Sequence, residues 1–314
     1  MRQYLIKRLL LVIPTLFLIT LIVFVLTRMI PGDVVELMFE EQGYAKDIQE
    51  MRALLGLDRP VLVQYLSWVW QVLHGDLGTS LWTKNPVLEE ILYRLPVTLE
   101  LGLLAMVLAV LMAIPIGVLS AARQDTLQDY LARSFAIGGL SIPNFWLATI
   151  AIVLPAYYFG WTPPIQYIKF SADPWGHLLQ FLLPAFILGL ASGASVMRLT
   201  RAMMLEVLRQ DYVRTAQAKG LRGRVVILKH ALRNAIIPVI TIFGIQLAQI
   251  AGGTVIMESI FGLPGMGKFL LDAIVQRDYP VVQGVNLFLA TIIVGMNIVT
   301  DLTYALIDPR IRYR

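Results

Sequence analysis

Apolar residues in this chain gather into long, nearly unbroken runs. A helix needs roughly 20 residues to cross the ~30 Å apolar core of a bilayer. Six runs reach that length: residues 9–29, 98–120, 135–159, 178–197, 236–257 and 281–306. They predict an all-α polytopic membrane protein with six transmembrane helices. Prolines in these runs (Pro14, Pro115, Pro143, Pro184, Pro238) are read as tolerated, because neighbouring helices supply compensating contacts. A further apolar stretch, Pro60 to Leu73, is only about fourteen residues long and reads as an interfacial or core helix. Its Trp68 and Trp70 suit a membrane–water boundary. Were it to span, every later loop would change sides.

Charge sets the orientation, because Lys and Arg accumulate in cytoplasmic loops. The stretch from Arg198 to Arg233 carries nine of them, opposed only by Glu206 and Asp211. With the N-terminus inside, the N-terminal tail, the 121–134 and 198–235 loops and the C-terminal tail hold 17 of the 26 Lys and Arg. Five of the other nine lie in the external stretch 30–97. Arg2, Lys7 and Arg8 precede a first run too long for a signal-peptide core, with no small-residue cleavage site after it, so it reads as an uncleaved signal-anchor. Both termini are therefore placed in the cytoplasm. The expected divisions are 1–29 (tail and first span), 30–97 (external loop or cap), 98–306 (core with five spans and the 198–235 loop) and 307–314 (tail).

Composition narrows the function classes. Only 15% of the 314 residues are charged, against about a quarter in soluble domains, and 57% are hydrophobic. Mean hydropathy is +0.70. The absence of cysteine excludes disulfides and thiolate metal sites, and three scattered histidines (His74, His177, His230) form no ligand cluster. The net charge of +5 is explained by membrane-flanking cations and needs no nucleic-acid partner.

Within the cation-rich loop, Asp211 to Gly220 reads as a short helix closed by a glycine, with Lys219 at the negative end of its dipole. Tyr212, Ala216 and Lys219 share one face, and Asp211, Thr215 and Ala218 the adjacent one. Small side chains at 215, 216 and 218 would let another surface approach closely. Read from the residues alone, the helix is either a docking element or a solvated loop helix.

The segment Glu206-Val-Leu-Arg-Gln-Asp-Tyr-Val-Arg-Thr-Ala-Gln-Ala-Lys-Gly220, followed by His230-Ala-Leu-Arg-Asn-Ala-Ile-Ile-Pro238, resembles the cytoplasmic signature loop of permease subunits in binding-protein-dependent ABC importers. The resemblance is strongest to the dipeptide/oligopeptide/nickel branch and covers nearly the whole chain. It includes Ile30-Pro-Gly-Asp33, Leu55-Gly-Leu-Asp-Arg-Pro60, His74-Gly-Asp-Leu-Gly78, Thr98-Leu-Glu-Leu-Gly102 and Ser141-Ile-Pro143. It continues through Glu258-Ser-Ile-Phe-Gly262, Arg277-Asp-Tyr-Pro280 and Asp308-Pro-Arg-Ile-Arg312. The resemblance implies a type I ABC importer permease-like fold in the bacterial inner membrane. It also implies a coupling helix contacting an ATPase subunit through Asp211, Tyr212, Thr215, Ala216, Ala218, Lys219 and Gly220. Arg214 departs from the broad-family pattern, standing where a glutamate is usual. The implied partners are a second homologous permease, two ATPase subunits that hold ATP and Mg, and a periplasmic or lipid-anchored solute-binding protein, all at a lipid membrane. No cofactor is expected in this chain.

Gly262-Leu-Pro-Gly-Met-Gly-Lys268 copies the spacing of a phosphate-binding loop, but Phe269 stands where Ser or Thr must hold magnesium. It is read instead as an external turn allowed by Gly265 and Gly267 and anchored by Phe261 and Phe269. Polar residues inside the runs face protein or a water-filled path, because charge at mid-bilayer is costly. Gln246, Gln249, Ser192 and Ser195 are candidates for the translocation pathway or for interhelical hydrogen bonding, and Asn297 and Asp301 for the latter. Gly189, Gly193, Gly244, Gly252 and Gly253 would allow close packing.

The expected function is one transmembrane subunit of an ATP-driven importer of di- or oligopeptides working by alternating access, without an ATPase site of its own. Glutathione, nickel or opine-like solutes are alternatives within the same branch. An ion-coupled secondary transporter would typically show inverted repeats, which are not found. An intramembrane enzyme would need a nucleophile–base pair or metal ligands in the spans.

Overall fold

A computed structural model describes residues 2–29, 56–164 and 166–307, with Val35 and Arg52; side chains at 2–9, 241, 243–245, 247–253 and 299–307 lie outside that description. The helices are α1 (Arg2–Met29), α2 (Val61–Leu73), α3 (Val87–Ala122), α4 (Leu127–Ser141), α5 (Asn144–Phe159), α6 (Pro174–Leu208), α7 (Asp211–Ala218), α8 (Leu232–Ile260), α9 (Met266–Val275) and α10 (Tyr279–Ile307). They fall into two compact units. One comprises 1–97, 264–298 and 308–314; the other comprises 98–263 and 299–307.

α1 from Leu10, α3, α6 and α10 are each long and apolar enough to cross a membrane, and α4 with α5 would make a fifth crossing. The fifth expected span, 236–257, lies within α8, whose 29 residues extend about 43 Å. The third expected span, 135–159, is not one straight helix. α4 and α5 meet at 96°. Pro143 is the cause: a residue before proline is pushed out of the α region, and Ile142 is extended at φ −91°, ψ 121°. Each arm, of 15 and 16 residues, is about 22–24 Å long, short of the bilayer core. Pro143 is thus a breaker, unlike Pro14, Pro184 and Pro238, which lie inside continuous helices.

In the first unit, α1, α2 and α10 meet around Phe24, Tyr65, Trp68 and Leu287. The Tyr65 hydroxyl and Thr20 Oγ1 are 3.0 Å apart. Trp68 is therefore core, whereas Trp70 stays 66% exposed. A second cluster joins the first turns of α3 (Val87, Ile91) to α9 (Met266, Ala273) and α10 (Val281, Val282, Val285). Buried Asp278 closes this end, accepting from Ser80 Oγ at 2.6 Å and from the Leu81 N–H at 3.1 Å.

The phosphate-loop look-alike leads into α9. Gly262 (φ +65°) makes its turn, while Gly265 is extended and Gly267 is buried within the helix. Phe269 packs on the α3–α9–α10 cluster beneath Arg94, 4.4 Å from its ring centre, and Lys268 pairs with Asp272 at 3.1 Å. Phe261 is buried too. The expected turn glycines and interfacial anchors are corrected accordingly.

In the second unit, α3 and α6 approach through small residues. A Cβ on Gly189 would lie 2.4 Å from the Ala105 carbonyl oxygen, and one on Gly193 3.3 Å from Ala109 Cα. Asp173 caps α6, accepting from the N–H groups of Trp175 and Gly176, with Pro174 at the first helical position. The 160–173 loop is tied onto α6 by two buried side chains. Gln180 Nε2 donates to the carbonyls of Pro164 and Gln166, and its Oε1 accepts the Ile168 N–H. His177 Nδ1 is 2.6 Å from the Ile168 carbonyl, so that nitrogen carries the hydrogen, and Nε2 is 2.6 Å from Glu100 Oε1.

The Gly189 contact predicts that Gly189→Ala destabilises the protein by about 1–3 kcal/mol, because a Cβ 2.4 Å from a backbone oxygen must push two packed helix backbones apart. Gly138→Ala, where a Cβ meets nothing within 4 Å, should leave the melting temperature in detergent unchanged or slightly raised. Equal shifts for the two would show that α3 and α6 are not in close contact there.

Candidate functional site

The polar stretch after α6 folds onto the end of that helix. Arg209 and Gln210 turn the chain, and α7 follows with only eight residues. A helix so short is unstable alone and must be held by packing. Val213 (0% exposed) and Ala216 (6%) supply the contact, packing with Val226 and with Val207 and Leu208 at the end of α6. On one flank the Tyr212 hydroxyl accepts from Asn234 Nδ2 at 2.8 Å and donates to the His230 carbonyl at 3.4 Å.

Gly220 ends the helix as anticipated. It adopts φ +74°, a conformation other residues reach only with strain, with open space beside it. The Leu221 N–H reaches the Ala216 carbonyl and the Gly220 N–H that of Gln217, the double closure of a Schellman motif. The chain then passes through Gly223–Val225 and a π-helical stretch, Val226–Ala231, into α8. Such wide turns are frequent at functional sites, and this one carries both Val226, which seats α7, and the carbonyl that Tyr212 reaches.

The outward face consists of Asp211, Arg214, Thr215 and Ala218, all exposed, as are Lys219 and Gly220. Asp211 and Arg214 pair at 3.3 Å, but both are so exposed that the pair contributes little rigidity. Ala216 is a correction. The family resemblance implies an ATPase contact there, whereas its side chain is buried against Val226 and the end of α6, because an eight-residue helix must spend its inner positions on its seat. Tyr212 remains partly exposed with its hydroxyl engaged. Sequence reasoning missed Val213, Val226 and Asn234. Val213 could have been found from its i, i+3 spacing with Ala216; nothing local marks Asn234.

The pathway candidates are less assembled. Ser192 and Ser195 are half-buried on α6, beside the tightly packed Gly193. The apolar crevice on that helix is lined by Leu190, Gly193, Ala194 and Met197 together with α3 and Phe135, and by neither serine. Gln246 is half-buried, and its Oε1 is shielded without a hydrogen-bond donor among the described residues. The side chains of Gln249 and Asp301 lie outside the described residues, as do the surroundings of Gly244, Gly252 and Gly253 and the segments 30–33 and 308–312. Asn297 is exposed, lining a shallow crevice with Thr15 between α1 and α10. Among the described residues no group of His, Asp and Glu is placed to hold a metal ion. The arrangement therefore offers a firmly seated helix with a small, accessible outer face at the foot of a long helix, which suits transmission of force.

Residues 113–313 match the family described as "Binding-protein-dependent transport system inner membrane component", and residues 1–102 match its N-terminal companion. The chain is 41% identical to the dipeptide transport system permease protein DppB of Escherichia coli K12, with all of both chains covered. It is 42% identical to the oligopeptide transport system permease protein AppB of Bacillus subtilis 168, again over both full lengths. A crystal structure of an amino acid ABC transporter with histidines matches its fold with a TM-score of 0.53 at 18% identity, covering 71% of this chain and 94% of that one.

Because the chain has no cysteine, single-cysteine variants report accessibility cleanly. Thr215→Cys and Ala218→Cys should react with a polar maleimide at least about tenfold faster than Val213→Cys or Ala216→Cys, thiol modification following exposure. Equal rates at all four positions would show that α7 is not seated.

Proposed function

The chain belongs to the family of binding-protein-dependent transport system inner membrane components, and on that premise we propose that it is one of two transmembrane subunits of an ATP-driven importer of di- or oligopeptides. The single observation that carries the mechanism is the seating of α7: its apolar edge is buried against its own subunit, while Asp211, Arg214, Thr215 and Ala218 are exposed. A surface of that kind fits a groove on an ATPase subunit. The full-length identity to dipeptide and oligopeptide permeases supports peptides as the cargo.

In this reading two ATPase subunits bind ATP and Mg, a second homologous permease completes the pathway, and an external solute-binding protein delivers the peptide. Both termini and α7 lie in the cytoplasm, in keeping with the nine cations of the 198–235 stretch. ATP-driven closure of the ATPases displaces α7. α6, continuous over 35 residues, carries that displacement toward the outer side. The pathway then alternates between inward and outward access, a two-state element biased from two sites. Gln246, Gln249, Ser192 and Ser195 are proposed to line it; Gln246 Oε1, which has no donor among the described residues, supports this, since a buried acceptor without a donor is costly unless water, solute or a partner chain satisfies it. This chain supplies no catalytic group.

The test is purification of the tagged chain from mild-detergent membranes with assay of ATP hydrolysis. An ATPase, a second permease and peptide-stimulated hydrolysis should accompany it. Ala218→Arg, on the exposed face, should abolish stimulation at unchanged membrane abundance, whereas Ala216→Arg would unseat the helix and report only on folding. If the chain purifies alone and moves dialanine into vesicles without ATP, the reading fails and ion coupling replaces it.

A further inference from the structure

Asp129, in the first turn of α4, is fully buried, and each carboxylate oxygen accepts two hydrogen bonds. Oδ1 takes Arg201 Nε at 2.8 Å and the Ser120 hydroxyl; Oδ2 takes Arg201 Nη2 at 2.8 Å and the Asp125 backbone N–H at 3.0 Å. Three helices converge on this one group: α3 through Ser120, α4 through Asp129 itself and α6 through Arg201. The Arg201 fork is a bidentate, charge-assisted pair, which fixes angle as well as distance. Its side chain is only 20% exposed.

Two features of its position matter. Arg201 lies seven residues before the end of α6, and the last two residues of that uninterrupted helix, Val207 and Leu208, pack against α7, so α7 cannot move α6 without moving Arg201. One helical turn away, a Cβ on Gly117 of α3 would meet the Met197 carbonyl and Thr200 at 2.8 Å, so α3 and α6 already touch backbone to backbone. Apolar clusters on either side (Ala113, Ala136, Ala194 and Met197; Val118, Ala121, Met204 and Ala235) hold these helices together without a charge. A buried ion pair is weak support for stability when apolar residues can fill the same volume; what it adds is one permitted geometry.

We propose that Asp129 and Arg201 are positioning residues for transport: a latch that makes α6 and the α3–α4 turn move as one body, so that displacement of α7 reaches the bent α4–α5 element. This rests on the importer reading above. Without the latch, α7 still engages the ATPase, but α6 slides past α4 and hydrolysis is spent without transport.

The experiment uses the complete complex, with its ATPases and binding protein, in proteoliposomes, measuring ATP hydrolysis and uptake of tritiated dialanine and trialanine in the same vesicles. Asp129→Asn keeps the shape but removes the charge; Arg201→Lys keeps the charge but loses the fork; Ser120→Ala removes one bond of the four. In assembled Asp129→Asn complex, hydrolysis should remain responsive to loaded binding protein while peptide transported per ATP falls at least about tenfold, in the usual range of coupling factors. Arg201→Lys and Ser120→Ala should give intermediate ratios. An unchanged ratio in Asp129→Asn and Ser120→Ala, with any lost uptake tracking the amount of folded complex, overturns the latch and leaves a structural role only. If Asp129→Asn does not assemble, the ratio in Ser120→Ala decides. Absence of ATP-driven uptake in the parent complex would instead overturn the importer reading.

Discussion

Hydrocarbon offers no water to a backbone N–H or carbonyl, and the rest of this structure follows from that constraint. The membrane segments must be helices, and each helix end becomes a place where orphan carbonyls need closure. The short motifs scattered along the chain meet this need. His74-Gly-Asp, Lys219-Gly-Leu and Phe261-Gly-Leu each close a helix by the same pair of backbone bonds, to the carbonyls of Gln71 and Val72, Ala216 and Gln217, and Glu258 and Ser259. Arg277 fills the equivalent place after α9 at φ +55° without being glycine. What looks like a set of unrelated signatures is largely a set of helix stops.

Packing inside the second unit obeys a different rule. Lipid tails are as apolar as leucine, so helices associate by close approach and by polar contacts rather than by expulsion of water. Gly117, Gly189 and Gly193 bring α3 and α6 to backbone contact, and Glu258 with Thr98, His177 with Glu100 and Asp129 with Arg201 supply the polar ties. A bistable transporter benefits from such joints. Reversing a two-state equilibrium from 1:99 to 99:1 takes about 5.5 kcal/mol, which exposed ion pairs such as Asp211–Arg214 are too weak to transmit. In the coupling proposed above, the buried seat of Val213 and Ala216 and the continuous α6 are the stiffer route.

Much of this was legible in the chain beforehand. Hydropathy located the long apolar helices, though not α9, and Asp211 with Gly220 bounded α7 to within a residue or two, because each rests on interactions between near neighbours. The faces of α7 were less legible. Tyr212, Ala216 and Lys219 lie on one helical side, but whether that side meets its own subunit or another depends on where Val226 arrives, after a π-helical turn that no local pattern announced. Pro143 could have been read as a break, since the residue before a proline resists the α conformation; the apolar run around it argued for continuity, and the steric restriction prevailed.

Sequence alone therefore determined where the long apolar helices run, where several of them stop, which loop holds the cations and where the short helix α7 forms. Those features are governed by transfer into lipid, by capping and by charge, all decided within a few residues. Only the tertiary structure decided the face α7 presents and the partners of His177 and Asp129, which lie 77 and 72 residues away. A hydrogen bond across such a separation is selected by how helices pack, and nothing in the local order of residues encodes which distant carboxylate or guanidinium will be within reach.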